Sequence, residues 1–323
     1  MNSLTKRWLT PDELASIVTN AFGSSISLLT YDELKEGFYS SAYALSLSDG
    51  RRAVLKVAPP DNVTRMRHEK DIMRVEVEVM RMLKQQTNLP FPVIYLYDRS
   101  LDIIDSDYFL MEHLNGQPYH KLKDQLTEEQ QAVIEHQLGT LNRRINALEG
   151  PAFGSIIFPE KQSTSWHSAF MMMAEDALQD CADAAVELPA PIETLRQYFV
   201  DGREAMAEVQ TPSLVHWDLW NGNVFVDEQT GSISGLIDCE RAFWGDPLME
   251  YYFRPFESSP AFLQGYGLHP QTTAERERML RYDLYLYLIL HVEGVFRGYN
   301  NPEHQQRALE NLQQFWSQIS QQT

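Results

Sequence analysis

The character of the sequence changes near residue 115, and this change limits the fold more than any other feature. Before Asn115-Gly116, short segments alternate apolar and polar residues or run apolar, as β-strands do. After it, most segments have the apolar spacing of helices. We therefore predict an α+β protein with two lobes, a β-rich lobe at 1–114 and a larger, mainly helical lobe at 115–323. A chain of 323 residues is long enough for each lobe to have its own core.

The β-rich lobe is predicted to be an antiparallel sheet with one helix against it, in the order βββαββ. An earlier helix is expected at Thr10–Phe22, because Thr10 suits an N-cap and a proline follows it. Asp49-Gly50 is typical of a hairpin turn. Apolar residues at 72, 75, 79, 82 and 83 predict the helix of the sheet within Arg67–Gln86. The predicted strands lie in ISLLTYDEL, SAYALSLSDG, RRAVLKVAPP, NLPFPVIYLYDRS and DSDYFLMEHLNG.

The second lobe is predicted to be mainly helical. Its first long helix lies within Leu126–Leu148, where Thr127 and Gln130 have the spacing of a capping box. Further helices are predicted from Trp166 to near Ala185, from Ile192 to near Val209, at Thr272–Phe296 and at Pro302–Ile319. Two short strands, NVFVD and SGLID, interrupt this helical pattern.

Composition excludes several classes of protein. The net charge of −18 argues against a nucleic-acid partner, because a phosphate backbone would be repelled. No apolar run is long enough to span a membrane or resembles a signal peptide at the start. Two distant cysteines without metal-type spacing favour a reducing cytoplasm. The excess of acid is explained by solubility, and a cationic substrate drawn to an acidic cleft is the alternative.

Two segments concentrate polar residues at strand ends. In LVHWDLWNGNVFVD, a tight loop can point Asp218 and Asn223 into one cleft, with His216 two residues before Asp218. In GLIDCERAFWGDP, Asp238 ends an apolar run and would emerge beside that loop. Asn223 and Asp238 are hard oxygen donors, which fits Mg²⁺ held between protein and phosphates. The absence of a His/Cys cluster from the sequence argues against zinc.

The first lobe carries the complementary charge. Lys56 lies among apolar neighbours on a predicted strand, and Glu76 on the following helix is its natural partner. Glu78 is the alternative, but the apolar stripe places Glu76 nearer the sheet. Ser40 and Ser41, in the loop KEGFYSSAY with a single glycine, could cover phosphates with their hydroxyls and backbone N–H groups. Serine is also common in any turn.

These residues resemble a known family. VHWDLWNGNVFVD and GLIDCERAFWGDP resemble the signature of the aminoglycoside phosphotransferase superfamily, a relative of choline, fructosamine and homoserine kinases and, more remotely, of protein kinases. The resemblance covers most of the chain, since AVLKV, VEVEVMRML and FLMEHLNG resemble the family's lysine strand, glutamate helix and hinge. It implies a protein-kinase-like bilobal fold. It also implies Mg²⁺-dependent transfer of the γ-phosphoryl group of ATP, with GTP as an alternative, to a hydroxyl of a small molecule.

The resemblance implies a role for each matched residue of the second lobe. Asp218 would accept or orient the proton of the acceptor hydroxyl, and His216 would orient the loop around it. Asn223 and Asp238 would hold Mg²⁺ at the phosphates.

In the first lobe, the resemblance implies a nucleotide site. Lys56, steadied by Glu76, would contact the α- and β-phosphates. The backbone from Glu112 to Leu114 would bind the adenine, with apolar side chains such as Val54 near the ring.

The sequence also departs from its remote relatives. Trp217 stands where protein kinases carry Arg, and Cys-Glu-Arg follows Asp238 in place of Phe-Gly. A protein substrate and activation by phosphorylation are therefore not expected. Glu250 stands where the family commonly has Asp in GDPxxD, which leaves the local geometry there open.

The acceptor is not identified by these patterns. Trp217 and Trp244 could wall a substrate pocket, although aromatic residues near such loops are more often core. Glu240 and Glu293 could bind an ammonium group or sugar hydroxyls. Candidate acceptors are an aminoglycoside-like antibiotic, an amino sugar or fructosamine, and a choline- or homoserine-like metabolite. The rival hypothesis is a non-catalytic kinase-like nucleotide- or ligand-binding protein with a structural or regulatory role, which the complete set of site residues opposes.

Overall fold

A five-stranded antiparallel sheet forms the first part of the α+β fold, as predicted, with its strands in the order β1-β2-β3-β5-β4. The computed structural model describes residues 6–35, 39–60, 62–254, 259–267, 269–298 and 301–321. The strands of this sheet are β1 (Leu28–Glu33), β2 (Ser41–Leu47), β3 (Arg52–Val57), β4 (Ile94–Asp98) and β5 (Tyr108–Glu112). The hairpin turn is confirmed: Gly50 has a φ of 84°, and its N–H donates to the Leu47 carbonyl at 3.0 Å.

Helices α1 (Pro11–Phe22) and α2 (Ile72–Gln86) cover opposite faces of this sheet. Successive residues of a strand point to opposite faces, so Leu55 of β3 packs in the α1 core while Val54 packs in the α2 core. Lys56 therefore faces α2. The helix predicted within Arg67–Gln86 is confirmed as α2, and Asp71, with a left-handed backbone (φ 59°), separates it from a short 3₁₀ turn at Arg67–Glu69.

Eight helices are described in the remainder of the chain. They are α3 (Tyr119–Leu122), α4 (Glu128–Asn146), α5 (Trp166–Asp183), α6 (Ile192–Val200), α7 (Arg203–Met206), α8 (Pro260–Tyr266), α9 (Thr273–Phe296) and α10 (Pro302–Ile319). The capping box of Thr127 and Gln130 is present at the start of α4. The helix predicted from Ile192 to near Val209 is broken into α6 and α7 at Gly202, where a Cβ would lie 2.3 Å from Nε of Arg281. Among the described helices, none combines the length and apolar character that crossing a membrane requires.

Short strands in this second part bring its loops together. They are β6 (Gln117–Pro118), β7 (Phe153–Ser155), β8 (Gln162–Ser163), β9 (Ser213–Val215), β10 (Val224–Asp227), β11 (Ser232–Leu236) and β12 (Phe243–Gly245). They form a three-stranded sheet, β11-β10-β6, and a four-stranded sheet, β8-β7-β12-β9. Only β10 and β11 were predicted, because strands of two or three residues carry no periodicity. The lobe boundary at 114/115 stays a prediction; β5 ends before it and β6 begins after it.

Two glycines allow α4 and α8 to pack backbone against backbone. A Cβ on Gly139 of α4 would lie 2.2 Å from the carbonyl oxygen of Phe262, and a Cβ on Gly265 of α8 would lie 2.0 Å from the carbonyl oxygen of His136. Because both contacts would be with backbone atoms, they could be relieved only by moving the two helices apart.

We expect Gly139→Ala to lower the free energy of unfolding by about 1–3 kcal/mol, because the added methyl group forces α4 and α8 apart. Urea unfolding measures the effect. Val133→Ala is the control, since Val133 is an exposed residue of the same helix. An unfolding free energy for Gly139→Ala equal to or above that of the parent would contradict this description of the contact.

Candidate active site

The two polar segments meet at the open end of the β10–β11 hairpin. Val224 of β10 pairs with Leu236 of β11. One step further along, the Ile237 N–H donates to the Asn223 carbonyl at 3.1 Å. This contact brings Asp238 next to the loop that carries Asn223 and Asp218.

A buried carboxylate holds the loop that follows β9. Glu250 has no exposed surface, and its oxygens accept from the backbone N–H groups of His216 at 2.9 Å and Trp217 at 3.0 Å. The side-chain amides of Asn142 and Asn146, both on α4, donate to the same carboxylate at 2.9 and 2.7 Å. Four donors compensate the burial of this charge. Glu250, whose local geometry the sequence left open, therefore anchors the loop that follows β9.

His216 joins the two segments as a neutral imidazole. Its Nε2 lies 3.1 Å from the Ile237 carbonyl, which only accepts, so Nε2 must carry the hydrogen. Nδ1 is then free to accept from the Asp218 N–H at 3.4 Å. Burial lowers the pKa of His216, which favours the same neutral form. Both ring nitrogens are thus used in bracing the loops.

Both segments contain a residue in left-handed backbone conformation. Trp217 has a φ of 64° and Asp238 a φ of 70°. Such angles are unfavourable for residues with a side chain and persist only where surrounding contacts impose them. Here those contacts are the bonds of Glu250, His216 and Ile237.

Lys56 lies at the centre of a cluster of carboxylates. Its Nζ donates to both oxygens of Glu76, at 2.7 and 2.9 Å, and to Oδ1 of Asp238 at 2.8 Å. A third carboxylate, that of Glu240, lies 3.8 Å away. Burial would lower the pKa of Lys56, but Asp238 and Glu76 hold it well above its usual value. Glu78 is exposed.

The cluster has more negative than positive charge. Ligand oxygens of Glu76, Asp238 and Glu240 all lie within 4.8 Å of one another. Burial, together with the neighbouring carboxylates, raises the pKa values of Glu76 and Glu240. Burial acts in the same direction on Asp238, but Lys56 lowers its pKa below the usual value. Clustered carboxylate oxygens suit a hard divalent cation, which would also compensate the excess charge.

Asp218 lies close to this cluster and is partly buried, and the charges of Asp238 and Glu240 act on its carboxyl group. The side-chain amide of Asn223 donates to the Asp218 carbonyl at 2.8 Å and approaches its carboxylate at 3.4 Å. Burial raises the pKa of Asp218 to about 7, with Asp238 adding to the rise and Arg241 opposing it. The carboxyl group can therefore take up a proton near neutral pH.

The residues predicted around a nucleotide lie on or next to β2, β3 and β5, the three inner strands of the five-stranded sheet. Ser40 and Ser41 are buried at the start of β2, where Ala42 pairs with Lys56. The Ser41 hydroxyl has no hydrogen-bond partner among the described residues. Residues 36–38, which include the glycine of this loop, lie outside the described residues.

The predicted hinge follows β5. Glu112 pairs with Ala53 of β3, and its N–H donates to the Val93 carbonyl at 2.8 Å. Leu114 lies over Gly235 of β11, where a Cβ would be 2.3 Å from Cδ1 of the leucine.

The four predicted substrate residues are separated by the fold. Trp217 and Glu240 line a cavity of about 160 Å³ beside the loops. Trp244 and Glu293 do not line it. Trp244 packs over Gly150, where a Cβ would lie 2.2 Å from its ring.

Glu293 belongs to a buried chain of ion pairs. It bonds to Arg241 at 3.3 Å and also to Arg297, which continues to Glu69 at 2.8 Å. The charge of Glu293 is thus compensated, which avoids the free-energy cost of an unpaired buried carboxylate.

Three residues of the site were not identified as such from the sequence. Glu250 was seen only as a departure from a motif, and Arg241 only as part of the tripeptide after Asp238. His68 lies in the short turn before α2 and lines the cavity. The sequence around an isolated histidine before a helix does not predict that its side chain lines a cavity.

Comparison with known proteins agrees with this geometry. A model of the phosphotransferase enzyme family matches residues 30–282. A subtelomeric hrmA-associated cluster protein of Aspergillus fumigatus is 25% identical over 135 residues, which are 42% of this chain and 25% of that protein. A second such protein from another strain is 26% identical over 125 residues, 38% of this chain and 24% of that protein. The chain thus spans about a quarter of the length of the curated relatives it matches.

Solved structures share the fold. APH(2″)-IIa, in a ternary complex with streptomycin and ATP, superposes with a TM-score of 0.66 and 16% identity, covering 95% of this chain and 97% of that chain. For a provisionally assigned fructosamine-3-kinase of Thermobifida fusca, the TM-score is 0.68 and the identity 16%, with coverage of 95% and 100%. Aminoglycoside phosphotransferase APH(4)-Ia, with AMP-PNP and hygromycin B, has a TM-score of 0.64, 18% identity and coverage of 94% and 97%.

We expect Glu250→Gln to lower the free energy of unfolding by about 1–3 kcal/mol, because the amide NH₂ group would face N–H donors and leave buried groups unpaired. Chemical denaturation followed by intrinsic fluorescence measures this loss. Glu228→Gln is the matched control, since Glu228 is exposed and bonds only to a side chain near the surface, Gln117. Equal stability of the two variants would show that Glu250 is not an anchor.

Proposed function

The chain belongs to the phosphotransferase enzyme family, and on this premise we propose that it transfers the γ-phosphoryl group of ATP to a hydroxyl group of a small molecule. The observation that carries the proposal is the position of Lys56, which bonds at once to Glu76 of α2 and to Asp238 of the second part of the chain. Asp218 and Asn223 lie on the adjoining loop. A cation, a set of hard oxygen donors and a proton acceptor are the groups that phosphoryl transfer requires.

The nucleotide binds along the inner strands β2, β3 and β5 of the five-stranded sheet. Lys56 contacts the α- and β-phosphates by exchanging its bond to Asp238, while Glu76 keeps its Nζ oriented. The unpartnered hydroxyl of Ser41 supports a phosphate contact at the start of β2. The backbone of Glu112 and Leu114 binds the adenine. GTP is the alternative nucleotide.

Asp238 and Asn223 hold Mg²⁺ at the phosphates. The excess of carboxylates around Lys56 supports this assignment, since it leaves negative charge for a divalent cation to compensate. Both oxygens of Glu76 are already bonded to Lys56. When bound, the metal neutralises charge that develops on the transferred phosphoryl group.

Asp218 accepts the proton of the acceptor hydroxyl. Its raised pKa makes it a stronger base than an exposed aspartate, which favours proton transfer near neutral pH. Glu250 and His216 position Asp218 through the backbone and do not contact the reacting atoms. Catalysis on this arrangement rests on positioning and charge, without a covalent intermediate.

We expect Asp218→Asn to reduce phosphoryl transfer by about 10²–10⁴-fold, because the amide cannot accept the hydroxyl proton. Nucleotide affinity should stay nearly unchanged, since Asp218 does not contact the phosphates. Transfer is measured as acceptor-dependent ADP release, with Asp201→Asn, a change at an exposed aspartate, as the control. A rate equal to the control would remove Asp218 from the mechanism.

Asp238→Asn should weaken nucleotide affinity by at least about 10-fold in the presence of Mg²⁺, because a metal ligand loses its charge. Titration of a fluorescent ATP analogue at several Mg²⁺ concentrations measures the effect. A parallel titration with EDTA is the internal control. There the nucleotide affinities of the parent and of Asp238→Asn should differ less than they do with Mg²⁺. An affinity that does not depend on Mg²⁺ in either protein would contradict the metal assignment.

A further inference from the structure

The cavity beside the catalytic loop has aromatic walls. The ring of Trp217 stacks on that of Tyr285, with centroids 5.4 Å apart, and meets Phe243 edge-on at 6.0 Å. All three rings line the cavity. Asp218, which follows Trp217, is not itself a lining residue, but the lining residues Glu240 and Arg241 lie close enough to Asp218 to shift its pKa, so the cavity is beside the proposed base.

The cavity has room for one ring. Its volume of about 160 Å³ is close to that of apolar cavities that hold a single benzene molecule. Pockets for larger ligands typically exceed about 300 Å³. Apolar side chains complete the lining: Val75, Phe158, Met172, Met173, Ala177 and Ile289.

Charged side chains that line the cavity lie near partners of opposite charge. Arg241 bonds to Glu293 at 3.3 Å, and Lys161 bonds to Asp176 at 2.8 Å. Glu240 lies 3.8 Å from Lys56.

Charges at the rim are balanced as well. The backbone N–H and guanidinium of Arg67 both bond to Asp180. The exposed Lys70 and the exposed Glu160 carry opposite charges. The charged side chains of the lining are four cations and three carboxylates: Arg67, Lys70, Lys161 and Arg241 against Glu160, Asp176 and Glu240. The lining therefore offers an added ammonium group no excess of negative charge, and burying that group there is unfavourable.

Among the described side chains that line the cavity, that of His68 is polar but unpaired. Both of its ring nitrogens are shielded from solvent and have no hydrogen-bond partner among the described residues. The ring lines the cavity and meets Trp217 edge-on, with centroids 6.4 Å apart. Burial, with Arg241 in support, lowers the pKa of His68 to about 3, so the imidazole is neutral at physiological pH. A neutral imidazole offers one donor and one acceptor, and leaving both unpaired in a buried site is unfavourable.

We propose that this cavity binds the acceptor, that the acceptor is an uncharged alcohol built on a single apolar or aromatic ring, and that His68 forms the hydrogen bond that selects it. This inference rests on the proposed function. In the reaction, the acceptor oxygen bonds to the γ-phosphorus, the bond from that phosphorus to the leaving ADP oxygen breaks, and the hydroxyl proton passes to Asp218.

Two probe alcohols that differ in one group test the ligand class. Calorimetric titration of the full chain with 4-hydroxybenzyl alcohol should give at least about 10-fold tighter binding than with 4-(aminomethyl)benzyl alcohol, whose ammonium would be unpaired. Equal or tighter binding of the cationic alcohol would overturn the proposal.

Three variants test the role of His68. His68→Phe should weaken binding of 4-hydroxybenzyl alcohol by about 3- to 10-fold, and His68→Gln, which still forms hydrogen bonds, by less than about 2-fold. His167→Phe is the matched control, since Nε2 of His167 is also buried without a partner but the residue does not line the cavity. Equal affinities of His68→Phe and His167→Phe would overturn the assignment.

Measuring phosphoryl transfer with Mg²⁺-ATP distinguishes a failure of this inference from a failure of the proposed function. Binding of 4-hydroxybenzyl alcohol that depends on His68, without transfer to any acceptor, would overturn the kinase proposal and support the ligand class of the cavity. Transfer to gentamicin in preference to 4-hydroxybenzyl alcohol would support the kinase proposal and overturn the inference.

Discussion

The contact of Lys56 with Glu76 and Asp238 is the interaction on which the site depends. It joins β3 and α2 of the first part of the fold to the segment after β11, all within 3 Å of one ammonium group. One cation among three carboxylates leaves the cluster short of positive charge. The same cluster that holds the two parts of the chain together is therefore suited to receive a divalent cation with a nucleotide.

The loops beside this cluster are held by buried polar groups. Glu250 bonds to the backbone of His216 and Trp217, and His216 bonds onward to Ile237. These contacts impose the left-handed backbone of Trp217, which no local preference of a tryptophan would favour. The ring of Trp217 thus lies in the wall of the cavity, and the next residue, Asp218, lies beside the cluster of carboxylates around Lys56. The geometry of these loops therefore depends on one set of hydrogen bonds, and the proposed nucleotide site and acceptor cavity both adjoin them.

The net charge of the whole chain does not describe the charge around the cavity. The net charge of −18 invited the hypothesis of a cationic substrate, yet the ion pairs of Arg241 and Lys161 balance the acids around the cavity. The neutral imidazole of His68 has no hydrogen-bond partner there among the residues that the structure describes. Solved structures with this fold hold the antibiotics streptomycin and hygromycin B, but a shared fold does not identify the acceptor. On our proposal, the side chains of this cavity select it.

Periodicity and short motifs determined the α+β class, the five strands of the first sheet and the main helices, and they predicted the set Lys56, Asp218, Asn223 and Asp238. They also favoured Glu76 over Glu78, because a residue bordering the apolar stripe of α2 must face the sheet. Only the tertiary structure decided that Glu250 anchors the loop, that Glu293 is paired and that His68 enters the cavity. These are contacts between residues far apart in the chain, made through side chains and strands too short to leave a periodic pattern. Local sequence specifies which face of an element is buried, and packing alone specifies what that face meets.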